Sequence, residues 1–318
     1  MSDILFIKTS SLGDVIHHMP AVTEARRQRP DARLSWVVEE DFAPLVRLHP
    51  LVDAVIPVAS RRWRRAPLAP GTWREIGAFV RALRARRYDL VIDTQGLFRS
   101  AVIARLARGE RHGYGPGSAR ESAASWLYDV RHRVDRGLHA VARNRLLTAL
   151  ALGYAPQGPD DFGLDRARLA APGGERRALL LHATARPEKE WPEARWIGLG
   201  AALAARGFEV VLPWGTAGER ARSARIAAAV PRARVPERRP LDEVARLVAG
   251  AALVVGVDTG LLHLAAALRV PVVAVFVGTA PELYAPQGQG PVAVLGRNGG
   301  MPTEAEVVTA AQAVAPAH

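Results

Sequence analysis

Apolar residues in this chain fall into two patterns that alternate from one end to the other. Short, largely apolar runs of strand length occur at residues 4–7, 34–38, 54–58 and 90–93, and again at 178–182, 208–212, 253–257 and 272–276. Runs that are apolar on both sides of the strand, rather than at every second position, are typical of parallel strands covered on both faces. Between them lie segments with helical spacing. Ile76, Phe79, Val80 and Leu83 fall at i, i+3, i+4 and i+7 and predict an amphipathic helix over 73–87. Further helices are expected up to Arg29 with an interruption at Pro20, over 146–152, from Pro192 to about 206, and over 241–249, 261–268 and 304–314. Strands alternating with helices predict α/β domains with doubly wound parallel sheets. Residues 153–174 are rich in Gly, Pro and Asp and read as a linker, which divides the 318 residues into domains at 1–160 and 161–318.

In sheets of this kind ligands gather beyond the carboxyl ends of the strands. The first such loop holds Lys8, Thr9, Ser10 and Ser11, bends at Gly13 and presents Asp14 ahead of a helix. Asp14 stands in a favoured position for a helix N-cap, so it is either a cap or a chemical group. Thr94-Gln95-Gly96 forms a second loop of the same kind. The segment 257–263, Val-Asp-Thr-Gly-Leu-Leu-His, is the strongest candidate for an anion site. The helix after Gly260 starts with free N–H groups, Thr259 supplies a hydroxyl, His263 lies on the first turn, and Asp258 could accept from a sugar hydroxyl. The alternative is an ordinary strand-to-helix turn capped by Asp258 or Thr259. Neither a Gly-x-Gly-x-x-Gly fingerprint nor a Walker loop occurs at a βα turn, which counts against dehydrogenases and P-loop enzymes. His132 and His139 have no partner at metal-ligand spacing.

Composition narrows the chemistry. The chain has no cysteine, which excludes disulfides, thiolate metal sites and cysteine nucleophiles and suits a cytoplasmic protein. No apolar run reaches membrane-spanning length, and residues 1–3 lack the regions of a signal peptide. The net charge is +12, and it is uneven: residues 1–150 hold 25 bases against 15 acids. A basic first half implies an anionic partner. Only Lys8 and Lys189 are lysines, so 41 of the 43 cationic side chains are arginines. In so arginine-biased a chain, two retained lysines suggest positions that need a compact ammonium. Arg61, Arg62, Arg64 and Arg65 surround Trp63 in a segment that reads as a solvated loop, or as a surface for phosphates or lipid headgroups. A nucleic-acid partner is the competing explanation of the basic excess; an aromatic content of 6% and the lack of a recognition module count against it.

The segments KTSSLGDVIHHMPAV, WVVEEDF, RRWRR, DTQGL, HATARPEKEWP, LPWG and VDTGLLHLAAAL, in this order, resemble the lipopolysaccharide heptosyltransferases over nearly the whole chain. VDTGLLHL alone marks the wider family; RRWRR with WVVEE points to its first-acting, type I branch rather than the second, which acts on a heptosylated acceptor. The resemblance implies a GT-B fold: two Rossmann-like domains facing across a cleft, with a last helix able to pack back on the first. It also implies an inverting transfer of heptose from ADP-heptose to the first Kdo of Kdo2-lipid A, without metal or other cofactor, at the cytoplasmic side of the inner membrane. Asp14 matches the family's general base and Lys189 the lysine facing the donor diphosphate. Thr184, Ala185, Glu219, Asp258, Thr259, Gly260 and His263 match the donor pocket, and Arg61, Arg62, Arg64, Arg65 and Arg120 match bases that hold the anionic acceptor. Lys8 joins the acceptor side without an assigned role. Two positions depart from the pattern: Ala185, where relatives can carry a second Thr, and Arg239, where an apolar residue is expected.

Overall fold

The computed structural model describes residues 2–171, 176–184, 190–277, 281–296 and 300–316. The chain divides into two compact units, residues 1–163 and 164–318. The first contains β1 (Asp3–Ile7), β2 (Arg33–Glu39), β3 (Ala54–Val58), β4 (Leu90–Asp93), β5 (Glu110–Tyr114) and β6 (Val130–His132). They form one parallel sheet in the order β3-β2-β1-β4-β5-β6. The second contains β7 (Arg177–Leu181), β8 (Glu209–Val211), β9 (Ala233–Arg234), β10 (Leu253–Val257), β11 (Val272–Val275) and β12 (Val292–Leu295), in the parallel order β12-β11-β10-β7-β8-β9.

Each sheet is wound outward from its first strand, then restarted on that strand's other side. The chain direction therefore switches between β1 and β4 in the first unit and between β7 and β10 in the second. At such a switch the two flanking loops diverge to opposite faces and leave a crevice above the strand ends. Beyond the half-buried first residues of β1 and β2, the central strands β1, β2, β10 and β11 are buried, as their largely apolar runs require.

Several expectations are corrected. The break in the first helical segment precedes Pro20: Leu12–Ile16 ends at His17, and Met19–Gln28 restarts with Pro20 in its first turn, where a missing N–H costs nothing. RRWRR is not a loop but a helix, Ser60–Arg65. Its start is held by the buried carboxylate of Glu39, which accepts from the Ser60 hydroxyl (2.7 Å) and the Arg61 N–H (2.8 Å). A carboxylate at a helix start satisfies free donors and opposes the dipole. Much of the expected linker belongs to the first unit, because Arg145 donates to the Gln157 carbonyl and to Asp160 (both 2.8 Å) while Gln157 N–H donates to Glu24 (2.7 Å). The closing helix Glu304–Val314 packs against helix Glu193–Ala205 and strands β10 to β12 of its own unit. Strands β5, β6, β9 and β12 and the helix Phe98–Leu106 are additions to the expected elements. Among the described residues no helix is long and apolar enough to cross a membrane.

Gly113 in β5 shows how tightly the first core closes. A Cβ there would overlap the Tyr128 ring, whose hydroxyl donates to the buried Asp93 at 2.7 Å. Its backbone is ordinary strand, so the constraint is space alone. Gly113→Ala should destabilise the protein by about 1–3 kcal/mol through overpacking, read from urea denaturation; a midpoint unchanged from wild type would refute this account.

Candidate functional site

The first group of candidate residues lies at the β1/β4 switch point. Lys8 follows β1 directly and turns inward, with only 3% of the residue exposed. Its ammonium donates to the Thr94 carbonyl (2.9 Å) and to Asn144 Oδ1 (3.3 Å) and lies 3.9 Å from Asp14 Oδ1. Asn144 is itself fixed, donating through Nδ2 to the His17 carbonyl (3.0 Å). Burial lowers the Lys8 pKa to about 8 while Asp14 opposes that fall, so the group is an ammonium at neutral pH.

Asp14 is not the cap expected from its position. Ser11 is the N-cap of helix Leu12–Ile16, and Asp14 is the third helical residue. From there its carboxylate reaches back, Oδ2 accepting from the Ser11 N–H (3.0 Å) and hydroxyl (3.3 Å). The Arg120 guanidinium clamps the same carboxylate, donating to Oδ1 at 2.6 Å and to Oδ2 at 3.2 Å. Burial pushes the Asp14 carboxyl upward, but Lys8, Arg120 and the Ser11 amide together outweigh it and hold the group below its ordinary value. Asp14 is an ionised acceptor.

Residues that sequence reading left without a role hold this group in place. Gln95, in the loop after β4, accepts from the N–H groups of Thr9 (3.1 Å) and Ser10 (3.2 Å), tying the two loops of the switch point together. The Gln95 N–H donates to Asp93 Oδ1 at 2.8 Å. Gly96 adopts φ +67°, a conformation that favours glycine, and brings the loop against Tyr114. The DTQGL segment carried a signal for these residues. Asn144 carried none.

The arginine helix beyond β3 is partly committed already. Arg62 donates to Glu40 (2.9 Å to each oxygen) and to Glu75 (2.8 and 2.6 Å), and the Trp63 indole also donates to Glu75 (2.8 Å). Arg61 stacks on Phe42, 5.0 Å from the ring centre. Arg64 donates to the Ser60 carbonyl of its own helix (3.3 Å), and Arg65 is exposed. The two histidines singled out by sequence have structural partners: His139 Nδ1 accepts from the Val141 N–H (3.2 Å) as a helix cap, and His132 stacks on His112 with their nitrogens 3.0 Å apart.

The second group lies at the β7/β10 switch point. Thr184 follows β7 and donates from its hydroxyl to the Asp258 carbonyl beyond β10 (3.3 Å). Thr259 is the N-cap of helix Gly260–Ala267, and the buried His263 sits on its first turn with Nε2 3.9 Å from Asp258 Oδ1. Glu219 begins a neighbouring helix, Ala217–Ala229, and accepts from the N–H groups of Gly215 (2.7 Å) and Thr216 (3.3 Å). The fold thus gathers Thr184, Asp258, Thr259, Gly260 and His263 around one helix start. Ala185 and Lys189 lie outside the described residues. Arg239, just ahead of helix Leu241–Ala249, pairs with the exposed Glu243 of that helix at 3.2 Å.

Residues 76–312 match the profile of glycosyltransferase family 9 (heptosyltransferase). The chain belongs to this family. Its GT-B fold follows from the two Rossmann-like sheets and from the solved relatives. Lipopolysaccharide heptosyltransferase 1 of Pseudomonas aeruginosa is 46% identical over 295 residues, covering 91% of this chain and 82% of that protein. The solved Escherichia coli heptosyltransferase WaaC with ADP is 41% identical and superposes with a TM-score of 0.90 over 96% of this chain and 98% of that one. Escherichia coli ADP-heptose lps heptosyltransferase II, 22% identical with a TM-score of 0.80 over 99% and 98% of the two chains, shares the fold.

In this heptosyltransferase Lys8 supplies a test of the buried charge cluster. Its pKa is about 8 folded and 10.5 as an unperturbed group. Between those values the unfolded chain binds more protons than the folded one, so the cost of burying the ammonium is relieved as pH rises. Relative to Lys8→Met, wild type should gain about 1–3 kcal/mol of unfolding free energy from pH about 8 to about 10. A pH-independent difference between the two denaturation series would overturn this assignment.

Proposed function

We propose that this enzyme transfers heptose from ADP-heptose to the first Kdo of Kdo2-lipid A by a single inverting displacement, with Asp14 as general base. The observation that carries the reading is the Asp14 carboxylate, held ionised at the switch point of the first domain by Lys8, Arg120 and the Ser11 amide. The family and the relatives named above support the donor and the acceptor.

The chemistry follows from these groups. The acceptor hydroxyl oxygen attacks the anomeric carbon, its proton passes to Asp14, and the bond from that carbon to the diphosphate oxygen breaks with its electron pair leaving on ADP. One base on the acceptor side suffices for inversion. A carboxylate of lowered pKa is a weak base, which serves where proton transfer comes late in an oxocarbenium-like transition state. Arg120 pairs with Asp14 while its side chain is 38% exposed, which leaves it able to meet the acceptor's carboxylate as well. In the second domain the Gly260 helix start and Lys189 stabilise the charge that develops on departing ADP, which makes the reaction independent of metal. Exposed Leu68 and Trp73, which follow exposed Arg64 and Arg65 within eight residues of Arg65, supply apolar and basic groups suited to the anionic leaflet that holds the acceptor.

Asp14→Ala should lower kcat with ADP-heptose and Kdo2-lipid A by about 10²–10⁴, with the KM for ADP-heptose little changed; near-normal turnover would remove the base. Lys189→Ala should instead act mainly through donor use, and activity should survive a chelator. A preference for a heptosylated acceptor over Kdo2-lipid A would place the enzyme in the second branch of the family.

A further inference from the structure

Beyond β5 and β6, on the same carboxyl edge of the first sheet as Asp14, lies a cavity of about 760 Å³ that none of the assigned residues explains. One wall is the loop of residues 115–118; the other is the strand end and turn that carry Arg131, Arg133 and Arg136. The volume is in the range of small-molecule pockets, roughly 300–1,000 Å³.

The walls are fixed by their own hydrogen bonds. The Gly115 N–H donates to the His132 carbonyl (2.8 Å), and the Val134 N–H donates to the buried Ser118 hydroxyl (2.8 Å), stitching one wall to the other. Arg143 donates to the Ser118 carbonyl (2.5 Å) from behind while its guanidinium covers the Tyr114 ring at 4.8 Å. Gly117 lines the cavity, and a Cβ there would meet nothing within 4 Å.

The charge on the walls is unbalanced. Among the described residues no carboxylate pairs with Arg131, Arg133 or Arg136, whereas Arg62, Arg111, Arg120 and Arg145 of the same domain are each held by one or two. Asp135 also lines the cavity, but its Oδ1 accepts from the Gly137 N–H (2.9 Å) and closes its own turn. Arg131 and Arg133 are two residues apart along an edge strand and its extension, which puts both guanidiniums on one side. Forked donors lining a roomy cavity match the oxygens of a phosphomonoester.

We infer that this cavity is a subsite for a phosphomonoester carried by the acceptor, with Arg131 and Arg133 as its ligands and Arg136 at its rim. The inference rests on the glycolipid-acceptor reading above. The loop that forms one wall runs on within two residues from Ser118 to Arg120, the clamp on Asp14, so a phosphate seated here orients the acceptor from the same loop that holds the base.

The test compares Kdo2-lipid A with its phosphatase-treated counterpart, both dispersed in neutral detergent. Wild type should favour the phosphorylated acceptor in kcat/KM by at least about tenfold, and the Arg131→Ala/Arg133→Ala double variant should bring that ratio close to one. Gly117→Leu, which adds bulk at the cavity wall without removing charge, should do the same, with an unchanged KM for ADP-heptose reporting an intact fold. Inorganic phosphate at millimolar concentration should inhibit wild type competitively against the phosphorylated acceptor only, which separates a free-phosphate site from an acceptor-borne one. Equal use of the two acceptors by wild type, or a preference that survives in both variants, overturns the subsite. Binding of the two acceptors measured without donor decides it independently of turnover: absence of heptose transfer with a phosphate-dependent affinity would sink the transferase reading and leave the subsite standing.

Discussion

A buried ammonium is the constraint on which the first domain's site depends. Lys8 has left water, and such a charge is tolerated only where dipoles and an opposite charge replace its hydration. Here the replacements come from distant parts of the chain: the Thr94 carbonyl after β4, the Asn144 side chain on helix Ala140–Leu152, and the Asp14 carboxylate. Asp14 in turn is satisfied by Ser11 and by Arg120, which lies beyond β5. Each partner is needed because the others are present. A buried pair of this sort is weak evidence for stability and better evidence for function, since it holds two titratable groups away from their ordinary values at one point.

The two domains share a topology yet equip their switch points differently. The first concentrates full charges, with an ammonium, a carboxylate and a guanidinium within hydrogen-bond or ion-pair reach. The described residues of the second present a hydroxyl, a helix start and a histidine beside an aspartate. Such groups suit opposite tasks. An ionised carboxylate takes a proton from an incoming hydroxyl, while N–H groups at a helix start receive negative charge without a proton to exchange. The fold repeats, and the division of labour follows from which side chains occupy the strand ends.

Arginine content alone is a poor guide to anion binding in this chain. Arg62 and Arg145 are each absorbed by two carboxylates, and Arg61 is turned onto Phe42. Paired guanidiniums organise the domain: Arg145 draws residues 157–160 onto it. Among the described residues, Arg131, Arg133 and Arg136 form no such ion pair, although Asp135 lies beside them.

The amino-acid pattern by itself determined the α/β architecture, the two domains and most central strands, because a strand buried on both faces must be apolar at successive positions. It also marked Asp14, Lys8 and the Asp258–His263 segment, since strand-end loops with polar and glycine residues are local features. Of the strands it missed, β12 is apolar, Val-Ala-Val-Leu, but β5 and β6 carry little hydrophobic signal. β5 reads Glu-Arg-His-Gly-Tyr, and β6 is a three-residue edge strand; both exist because a neighbouring strand supplies hydrogen bonds, not because of their own composition. Likewise the RRWRR helix forms because Glu39, 21 residues away from Ser60, is buried at its start. Only the tertiary structure decided which loops converge. Lys8 and Asn144 are 136 residues apart, Asp14 and Arg120 are 106 apart, and no local pattern records either pairing. Desolvation and Coulomb attraction act through space, so the pairing that makes Asp14 a held, ionised acceptor exists only once the sheet has brought β1, β4 and β5 side by side.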